Sequence, residues 1–177
     1  MYNNTLDEIK NSIRNVPDFP IPGVQFKDLT TLFKNNLLLR KTSDILFDYY
    51  KNKGITKVVG IESRGFIIGG ILAYQLNAGF EIIRKPGKLP AKTIKKDYTL
   101  EYGNNTIEIH EDALSKDDVV LLHDDLLATG GTSKAAMELI EIFQVKDIFL
   151  NFIVELDFLN GREKIGSKYD IYSVVHF

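Results

Sequence analysis

The chain has 177 residues, of which 44% are hydrophobic and 26% are charged, and its formal net charge is −2. This length suits one domain with a substantial core, and the charge provides no basic field of the kind that nucleic-acid binding uses. The chain contains no cysteine, which excludes disulfides, thiol catalysis and cysteine-zinc sites.

The amino terminus and the histidines give no indication of secretion, a membrane anchor or a histidine metal site. Residues 1–10, MYNNTLDEIK, lack the basic-then-apolar pattern of a signal peptide, and no apolar stretch approaches the ~20 residues of a membrane span. His110, His123 and His176 are scattered, without metal-binding spacing. We therefore expect a soluble, cytoplasmic protein.

Hydrophobic periodicity predicts helices and strands that alternate along the chain. The predicted helices span residues 5–15, 36–53, 64–77 and 131–143. The predicted strands span residues 57–61, 80–85, 106–110, 119–123, 147–156 and 169–177. Three prolines in PDFPIPG (17–23) end the first helix, and residues 86–97 read as a polar, basic loop. This order predicts a single α/β domain over residues 1–177, with a mostly parallel central sheet flanked by helices.

Ligands of such sheets bind where the carboxyl ends of strands lead into helices. One of these loops contains two adjacent acids, Asp124 and Asp125, directly after the apolar run that ends at His123. Two neighbouring carboxylates repel each other and resist desolvation. A ligand with vicinal hydroxyls would make the pair useful, because each carboxylate accepts charge-assisted hydrogen bonds from them.

The loop after the acids, ATGGTS (128–133), can hold an anion. Its two glycines allow several amide groups to converge on one phosphate at the start of the next helix. A plain helix cap by Thr132 or Ser133 explains this short motif alone equally well. The two acids and the glycine loop together suit a ribose 5-phosphate. The acids would bind its 2′- and 3′-hydroxyls, and the loop would bind its phosphate.

VVLLHDDLLATGGTS (119–133) resembles the phosphoribosyl-pyrophosphate (PRPP) motif of the type I phosphoribosyltransferases. The other motifs resemble the adenine phosphoribosyltransferases of that family, in order and at their spacing. They are IRNVPDFPIPGVQFKDLT (13–30), GIESRGFIIGGILA (60–73), IIRKPGKLP (82–90), YTLEYG (98–103) and GREKIG (161–166). The resemblance runs from about residue 13 to the carboxyl terminus.

The resemblance implies a role for each loop. Asp124 and Asp125 would bind the ribose of PRPP or AMP. The 5′-phosphate loop would comprise Ala128, Thr129, Gly130, Gly131 and Thr132. Pyrophosphate would be held by Ser63, Arg64, Arg84, Lys85 and Lys88, with Arg84 reaching across a dimer interface. For the basic residues alone, a solvated charged loop is the usual explanation. A non-proline cis peptide, frequent in the family, would fall at Glu62–Ser63.

Two further segments complete the expected site. Residues 1–34 would form an amino-terminal helix and a base-binding hood. Adenine would pack between Phe26 of the hood and Leu126, which follows the acid pair, and main-chain groups at Gln25 and Lys27 would contact the edge of the base. Core packing explains Phe26 or Leu126 alone equally well. Residues 86–110 would form a flexible flap that carries the acid–base group Glu101 and also Tyr102. TIEIH (106–110) alternates as an exposed strand would, which places Glu108 on that strand.

The implied activity is a purine salvage reaction: adenine and PRPP give AMP and pyrophosphate through an oxocarbenium-like transition state. Mg²⁺ is the expected cofactor, held mainly by PRPP and pyrophosphate with no direct protein ligand. We expect a homodimer because FIIGGIL (66–72) is apolar nearly all round. The alternatives are a phosphoribosyltransferase for hypoxanthine or guanine, and a PRPP-binding regulator of the same fold. No nucleic-acid or membrane partner is expected.

The chain departs from the family pattern at three places. Thr31 and Lys92 stand where the family often has proline or a glycine-proline turn, and His123 replaces an apolar residue. We interpret His123 as a strand residue and not as a catalyst.

Overall fold

The computed structural model describes residues 2–100 and 103–177. In chain order its elements are α1 (Tyr2–Ser12), β1 (Arg14–Pro17), β2 (Gln25–Asp28), α2 (Thr30–Phe33), α3 (Asn36–Tyr50), β3 (Lys57–Ile61), α4 (Gly65–Gln75), β4 (Gly79–Ile83), β5 (Thr93–Leu100), β6 (Gly103–His110), β7 (Val119–Leu127), α5 (Gly131–Glu141), β8 (Asp147–Glu155), a 3₁₀ turn (Asp157–Leu159), α6 (Gly161–Ile165) and β9 (Asp170–His176).

The central sheet has five parallel strands in the order β4-β3-β7-β8-β9. The first four residues of its middle strand, β7, are apolar on both faces, and Leu121 and Leu122 are both fully buried although they point to opposite sides. Near-continuous apolar runs are typical of parallel strands that helices cover on both faces. The prediction of a central parallel sheet is thereby confirmed.

Two apolar clusters fill the space on the two faces of the sheet. On one face α1, α3 and α4 pack, with Leu46, Ile68 and Leu72 fully buried among them. On the other face lie α5 and the β5–β6 hairpin, with Ile109 and Leu139 fully buried. The carboxyl ends of β4, β3 and β7 remain adjacent at one edge, because these strands run parallel in register.

The amino-terminal hood is tied together by polar contacts. Strands β1 and β2 pair antiparallel, and Arg14 forms an ion pair with the buried Asp28. Hydrogen bonds from Thr30 and then from Arg14 lower the pKa of Asp28 to about 2. The hydroxyl of Thr31 accepts the Arg14 amide at 3.1 Å and donates to the Ser12 carbonyl at 2.6 Å. Thr31, a departure from the family pattern, therefore links α1 to α2.

Residues 93–110 differ most from the prediction. We expected a polar loop from residue 86 to 97, but Thr93–Leu100 forms β5 and pairs antiparallel with β6. Ile94 and Tyr98 pack against the core. Glu108, which we placed on an exposed strand, is buried, with 2% exposure. That expectation was wrong because the 84–89 loop and β5 cover the outward face of β6.

Other element bounds differ by a few residues. Strand β7 runs four residues beyond the predicted end, so both acids lie within it, since β8 continues beside it and Asp124 is opposite Phe152. The first helix ends at Ser12 because the chain from Arg14 pairs with β2. Within the two described ranges, no helix combines the length and the apolar character that crossing a membrane requires.

Candidate active site

The two acids at the centre of the site have different surroundings. Asp125 is buried, and its carboxylate lies 2.7 Å from the Nε of Arg64, which stands at the start of α4. Asp124 is half-buried, and its Oδ1 accepts the Asp125 amide at 2.9 Å. Burial and then the neighbouring Asp125 charge raise the pKa of Asp124. Burial also raises the pKa of Asp125, with Arg64 opposing it.

Close backbone packing holds the acids against α4. A Cβ on Gly65 would lie 2.9 Å from the His123 carbonyl and 3.2 Å from Oδ1 of Asp124. A side chain at this position would therefore push the first turn of α4 away from β7. Glycine thus places Arg64 close enough to pair with Asp125.

His123 is a strand residue, as predicted. Its side chain is fully buried, and its Nδ1 forms a hydrogen bond with the Oδ1 of Asn151 on the neighbouring β8. Burial lowers the pKa of His123 to about 4, although Asn151 opposes that shift. The imidazole is consequently neutral at pH 7 and has no access to a ligand.

The glycine loop after β7 begins α5 without a capping side chain. Gly130, which has no side chain with which to cap the helix, is the N-cap residue, with φ 75°. The hydroxyl of Thr132 instead contacts the hydroxyl of Tyr98 on β5 at 3.3 Å. The alternative of a plain cap by Thr132 or Ser133 is therefore not what the structure contains. Amides at an uncapped helix start are suited to an anion.

The start of α6 supports this loop from behind. A Cβ on Gly130 would lie 2.3 Å from the Gly161 carbonyl oxygen, and a Cβ on Gly161 would lie 2.1 Å from the Ala128 carbonyl oxygen. Both positions therefore require glycine. The supporting role of Gly161 could not be derived from periodicity, because its contact lies about thirty residues away along the chain.

The basic residues after β4 form an anchored loop. The Nε of Arg84 donates to Glu62 at 3.1 Å, and the Lys85 amide donates to the same oxygen at 3.0 Å. The Nη1 of Arg84 donates to the Lys88 carbonyl at 3.2 Å, while the side chains of Lys85 and Lys88 are exposed. The peptide bond Glu62–Ser63 is cis, as expected.

The hood reaches the acids through one aromatic ring. Phe26 is half-buried, and its ring centroid lies 5.4 Å from the Cζ of Arg64 and 5.1 Å from the ring of Phe19. Gln25 is exposed, with its side chain bonded to Asn15, and the Nζ of Lys27 lies 4.1 Å from the ring centroid of Phe177.

The structure thus brings Phe26 of the hood, Arg64 and Asp125 into one continuous set of contacts. Leu126 is half-buried on β7 and packs against the core on the α4 side of the sheet. Ala128 and Thr129 are half-buried in the glycine loop, and Ser63 is exposed after β3. Glu101 and Tyr102 lie outside the described residues.

The chain resembles known proteins over nearly its whole length. A family model described as "Phosphoribosyl transferase domain" matches residues 28–174. An adenine phosphoribosyltransferase of Bacteroides thetaiotaomicron is 60% identical over 164 residues, which are 93% of this chain and 93% of that protein.

Solved structures agree with this. The crystal structure of adenine phosphoribosyltransferase from Rhodothermus marinus has a TM-score of 0.94 at 46% identity, covering 99% of both chains. The crystal structure of the APRTase of Giardia lamblia complexed with 9-deazaadenine has a TM-score of 0.93 at 45% identity, covering 97% of both chains. The expected type I phosphoribosyltransferase fold is confirmed, and the chain belongs to the adenine phosphoribosyltransferases of that family.

Proposed function

We propose that the chain transfers the 5-phosphoribosyl group of PRPP to adenine, giving AMP and pyrophosphate in purine salvage. The observation that carries this proposal is the acid pair of β7, with Asp125 bound by Arg64, directly before an uncapped glycine loop. Two carboxylates beside an anion site suit a phosphorylated sugar, and membership of the adenine phosphoribosyltransferases supports adenine as the acceptor over hypoxanthine and guanine.

The ribose and its 5′-phosphate would be bound by neighbouring parts of one strand–loop–helix unit. Asp124 and Asp125 would accept hydrogen bonds from the 2′- and 3′-hydroxyls. The amides at residues 128–132 and the hydroxyl groups of Thr129 and Thr132 would surround the phosphate. The positive end of α5 adds favourable electrostatics for this anion.

The reaction exchanges one bond at C1′ for another. The bond from C1′ to pyrophosphate breaks, the bond from C1′ to N9 of adenine forms, and adenine loses its N9 proton. Lys85, Lys88, Arg84 and Arg64 would stabilise the negative charge that develops on pyrophosphate. Glu101 would act as the acid–base group for the proton of the purine. Closure of the segment from 86 to 110, which includes Tyr102, would exclude water that otherwise hydrolyses PRPP.

Adenine would lie under the hood. The half-buried ring of Phe26 and the half-buried side chain of Leu126 provide apolar surfaces for a planar base. The main chain at Gln25 and Lys27 belongs to β2, and its polar groups would meet the base edge. Main-chain contacts tolerate a side-chain change, which accommodates Gln25 where the family often has an aliphatic residue.

The acid pair suits Mg²⁺ carried by PRPP better than a protein-built metal cage. Mg²⁺ prefers oxygen ligands and keeps several waters. Among the described residues, the group of acids and histidine close enough to share an ion is Glu155, Asp157 and His176, which does not include the acid pair. When bound on PRPP, the metal would neutralise phosphate charge, and no direct protein ligand is required for it.

We further propose a cytoplasmic homodimer. Phosphorylated substrates such as PRPP do not cross membranes unaided, which supports a cytoplasmic reaction. The outer face of α4 exposes Ile67 and Tyr74, and this supports burial of that face against a second copy. In such a dimer Arg84 would act in the partner's site.

The reaction is tested by incubating the purified chain with PRPP, Mg²⁺ and one base at a time, and by separating nucleotide products chromatographically. AMP formation with adenine, at a rate well above IMP or GMP formation, is expected. Faster formation of IMP or GMP would show that the preferred acceptor base is hypoxanthine or guanine and not adenine. Binding of PRPP without any nucleotide product would indicate a regulator.

A further inference from the structure

Glu108 is a buried carboxylate that the proposed reaction does not use. It lies on β6 with 2% exposure. Its Oε1 accepts the Gly87 amide at 2.8 Å, and its Oε2 accepts the Thr93 hydroxyl at 3.1 Å. The Nζ of Lys95 lies 3.6 Å from Oε2. A buried carboxylate is unfavourable unless such hydrogen bonds compensate it.

Those hydrogen bonds keep Glu108 ionised at neutral pH. Burial alone would raise its pKa, but bonds from Thr93, Gly87 and Leu89, together with the charge of Lys95, lower it below its usual value. Two of these donors are main-chain amides of the loop that follows β4. The acid is therefore bound mainly to the basic loop and to the first strand of the hairpin.

The same loop is held from two sides. The main chains of Arg84 and Glu108 exchange two hydrogen bonds, of 3.0 and 2.8 Å. On the other side Glu62 accepts the Lys85 amide and the Arg84 guanidinium. The amides of Lys85 and Gly87 thus bind carboxylates and are not available to an anion. Pyrophosphate would have to be met by the exposed side chains of Lys85 and Lys88, whose positions depend on the shape of the loop.

We propose that Glu108 is a positioning residue for the pyrophosphate end of the site. It holds loop 84–89 in the shape that presents Lys85 and Lys88 together, and through Thr93 it ties that loop to β5, so that loop and hairpin are fixed to each other. This rests on the proposed function, which assigns the basic loop to pyrophosphate.

The test compares Glu108→Gln with Asp118→Asn in the full chain. The glutamine keeps the size of the side chain, but its NH₂ group has to face either the Gly87 amide or Thr93 and Lys95. Asp118 is a matched control at the amino end of β7, where it accepts hydrogen bonds from Thr56 and from the amide and hydroxyl of Ser115. Calorimetry measures the affinity of each variant for pyrophosphate and, separately, for AMP.

We expect Glu108→Gln to lose about tenfold in pyrophosphate affinity, because hydrogen bonds to a charged group are among the strong ones. Its AMP affinity should stay unchanged, and the KM for PRPP should rise while the KM for adenine does not. Asp118→Asn should leave both affinities at the wild-type values. Equal losses for AMP and pyrophosphate, or no loss for either, would overturn the assignment.

A second variant covers poor folding of Glu108→Gln. Thr93→Val removes one hydroxyl donor and keeps the carboxylate, so it should show the same selectivity for pyrophosphate with a smaller loss. Lack of selectivity in Thr93→Val would also count against the proposal. Failure of the wild-type chain to bind either pyrophosphate or AMP would instead refute the proposed function.

Discussion

At the scale of single residues, the neighbouring acids Asp124 and Asp125 differ in how far the fold compensates their negative charge. Asp125 is compensated by Arg64 at 2.7 Å. For Asp124, burial and then repulsion by Asp125 raise the pKa, and the charge of Arg64 opposes them only in part. An acid whose folded-state pKa is raised destabilises the fold as the pH rises above its unfolded-state pKa, because the unfolded chain ionises first, and the loss is complete above the folded-state pKa. Asp124 is therefore the acid whose charge the ligand must compensate.

We predict that Asp124→Asn and Asp125→Asn both weaken PRPP binding, by roughly 10- to 100-fold, since each removes charge-assisted hydrogen bonds. Only Asp124→Asn should raise the melting temperature of the unliganded protein, by about 2–4 °C for each kcal/mol of relieved repulsion. Asp125→Asn should not, because it leaves Arg64 without its partner. Calorimetry with and without PRPP measures both effects, and unchanged PRPP affinity in either variant would contradict the ribose assignment.

His123 gives a pH dependence of known sign. Its folded-state pKa is lowered to about 4 from the usual 6.5, so between these values the unfolded chain binds a proton that the folded chain does not. Stability from this residue is full above pH 6.5 and declines as the pH falls toward 4. The decline by pH 4.5 amounts to about 2–3 kcal/mol.

This dependence is measured by urea unfolding of the wild type and of His123→Gln at pH 7 and pH 4.5. The wild type should lose more free energy of unfolding between the two pH values than the variant does. Glutamine fills part of the same space and can still bond to Asn151, but it does not titrate. Equal losses in the two proteins would show that His123 is not responsible.

At the scale of elements, local pattern predicted the parallel sheet and the glycine loop. Strand β3 has the predicted bounds, 57–61, because polar turns on both sides define the ends of its short apolar run. Strand β7 was predicted too short, because two acids normally end a strand and the neighbouring β8 overrides that tendency. Only three residues separate the acid pair from TGGT (129–132) in sequence, and their proximity to each other therefore needed no tertiary information.

The supports of the site could not be predicted in this way. Glu108 lies in an alternating strand whose polar face is usually solvated, and the Gly87 amide that binds it is 21 residues away. Glu62 and Gly161 likewise act on segments that are distant along the chain. Burial of a polar residue depends on which segment covers it, and sequence periodicity does not contain that information.

The next prediction concerns the catalytic role of Glu101. In sequence this residue lies between Leu100 at the end of β5 and Gly103 at the start of β6, outside the described residues. If Glu101 handles the purine proton only as the C–N bond forms, Glu101→Gln should lower kcat by roughly 10²- to 10⁴-fold. The KM for PRPP should change little, since that interaction exists mainly in the transition state.

Steady-state kinetics on Glu101→Gln and Glu111→Gln measures this. Glu111 follows β6 and is exposed, so its substitution should leave turnover at the wild-type value. Glu108 is unsuitable as the control because it is buried and bound to the basic loop. Small and equal effects of the two variants would leave Glu101 without a chemical role.

At the scale of the whole molecule, α4 has two different apolar faces. Its inner face uses glycine for close packing: a Cβ on Gly69 would lie 2.9 Å from the ring of Phe80. Its outer face exposes 41% of Ile67 and 87% of Tyr74, and a Cβ on Gly70 would meet no atom within 4 Å. A bare glycine between two exposed apolar side chains allows another helix or loop to approach closely.

We therefore predict a homodimer whose interface includes this outer face, and Ile67→Glu should shift it toward the monomer because the glutamate would have to be desolvated on association. Light scattering at micromolar concentration measures the mass of the wild type, of Ile67→Glu and of the control Leu37→Glu. Leu37 is an exposed apolar residue on α3, with 65% exposure. If Arg84 completes the site of the partner, the monomeric variant should also lose PRPP turnover while its AMP affinity stays near that of the wild type. A monomeric wild type would contradict the interface, and a fully active monomer would show that Arg84, which contacts Glu62 of its own chain, acts within one subunit.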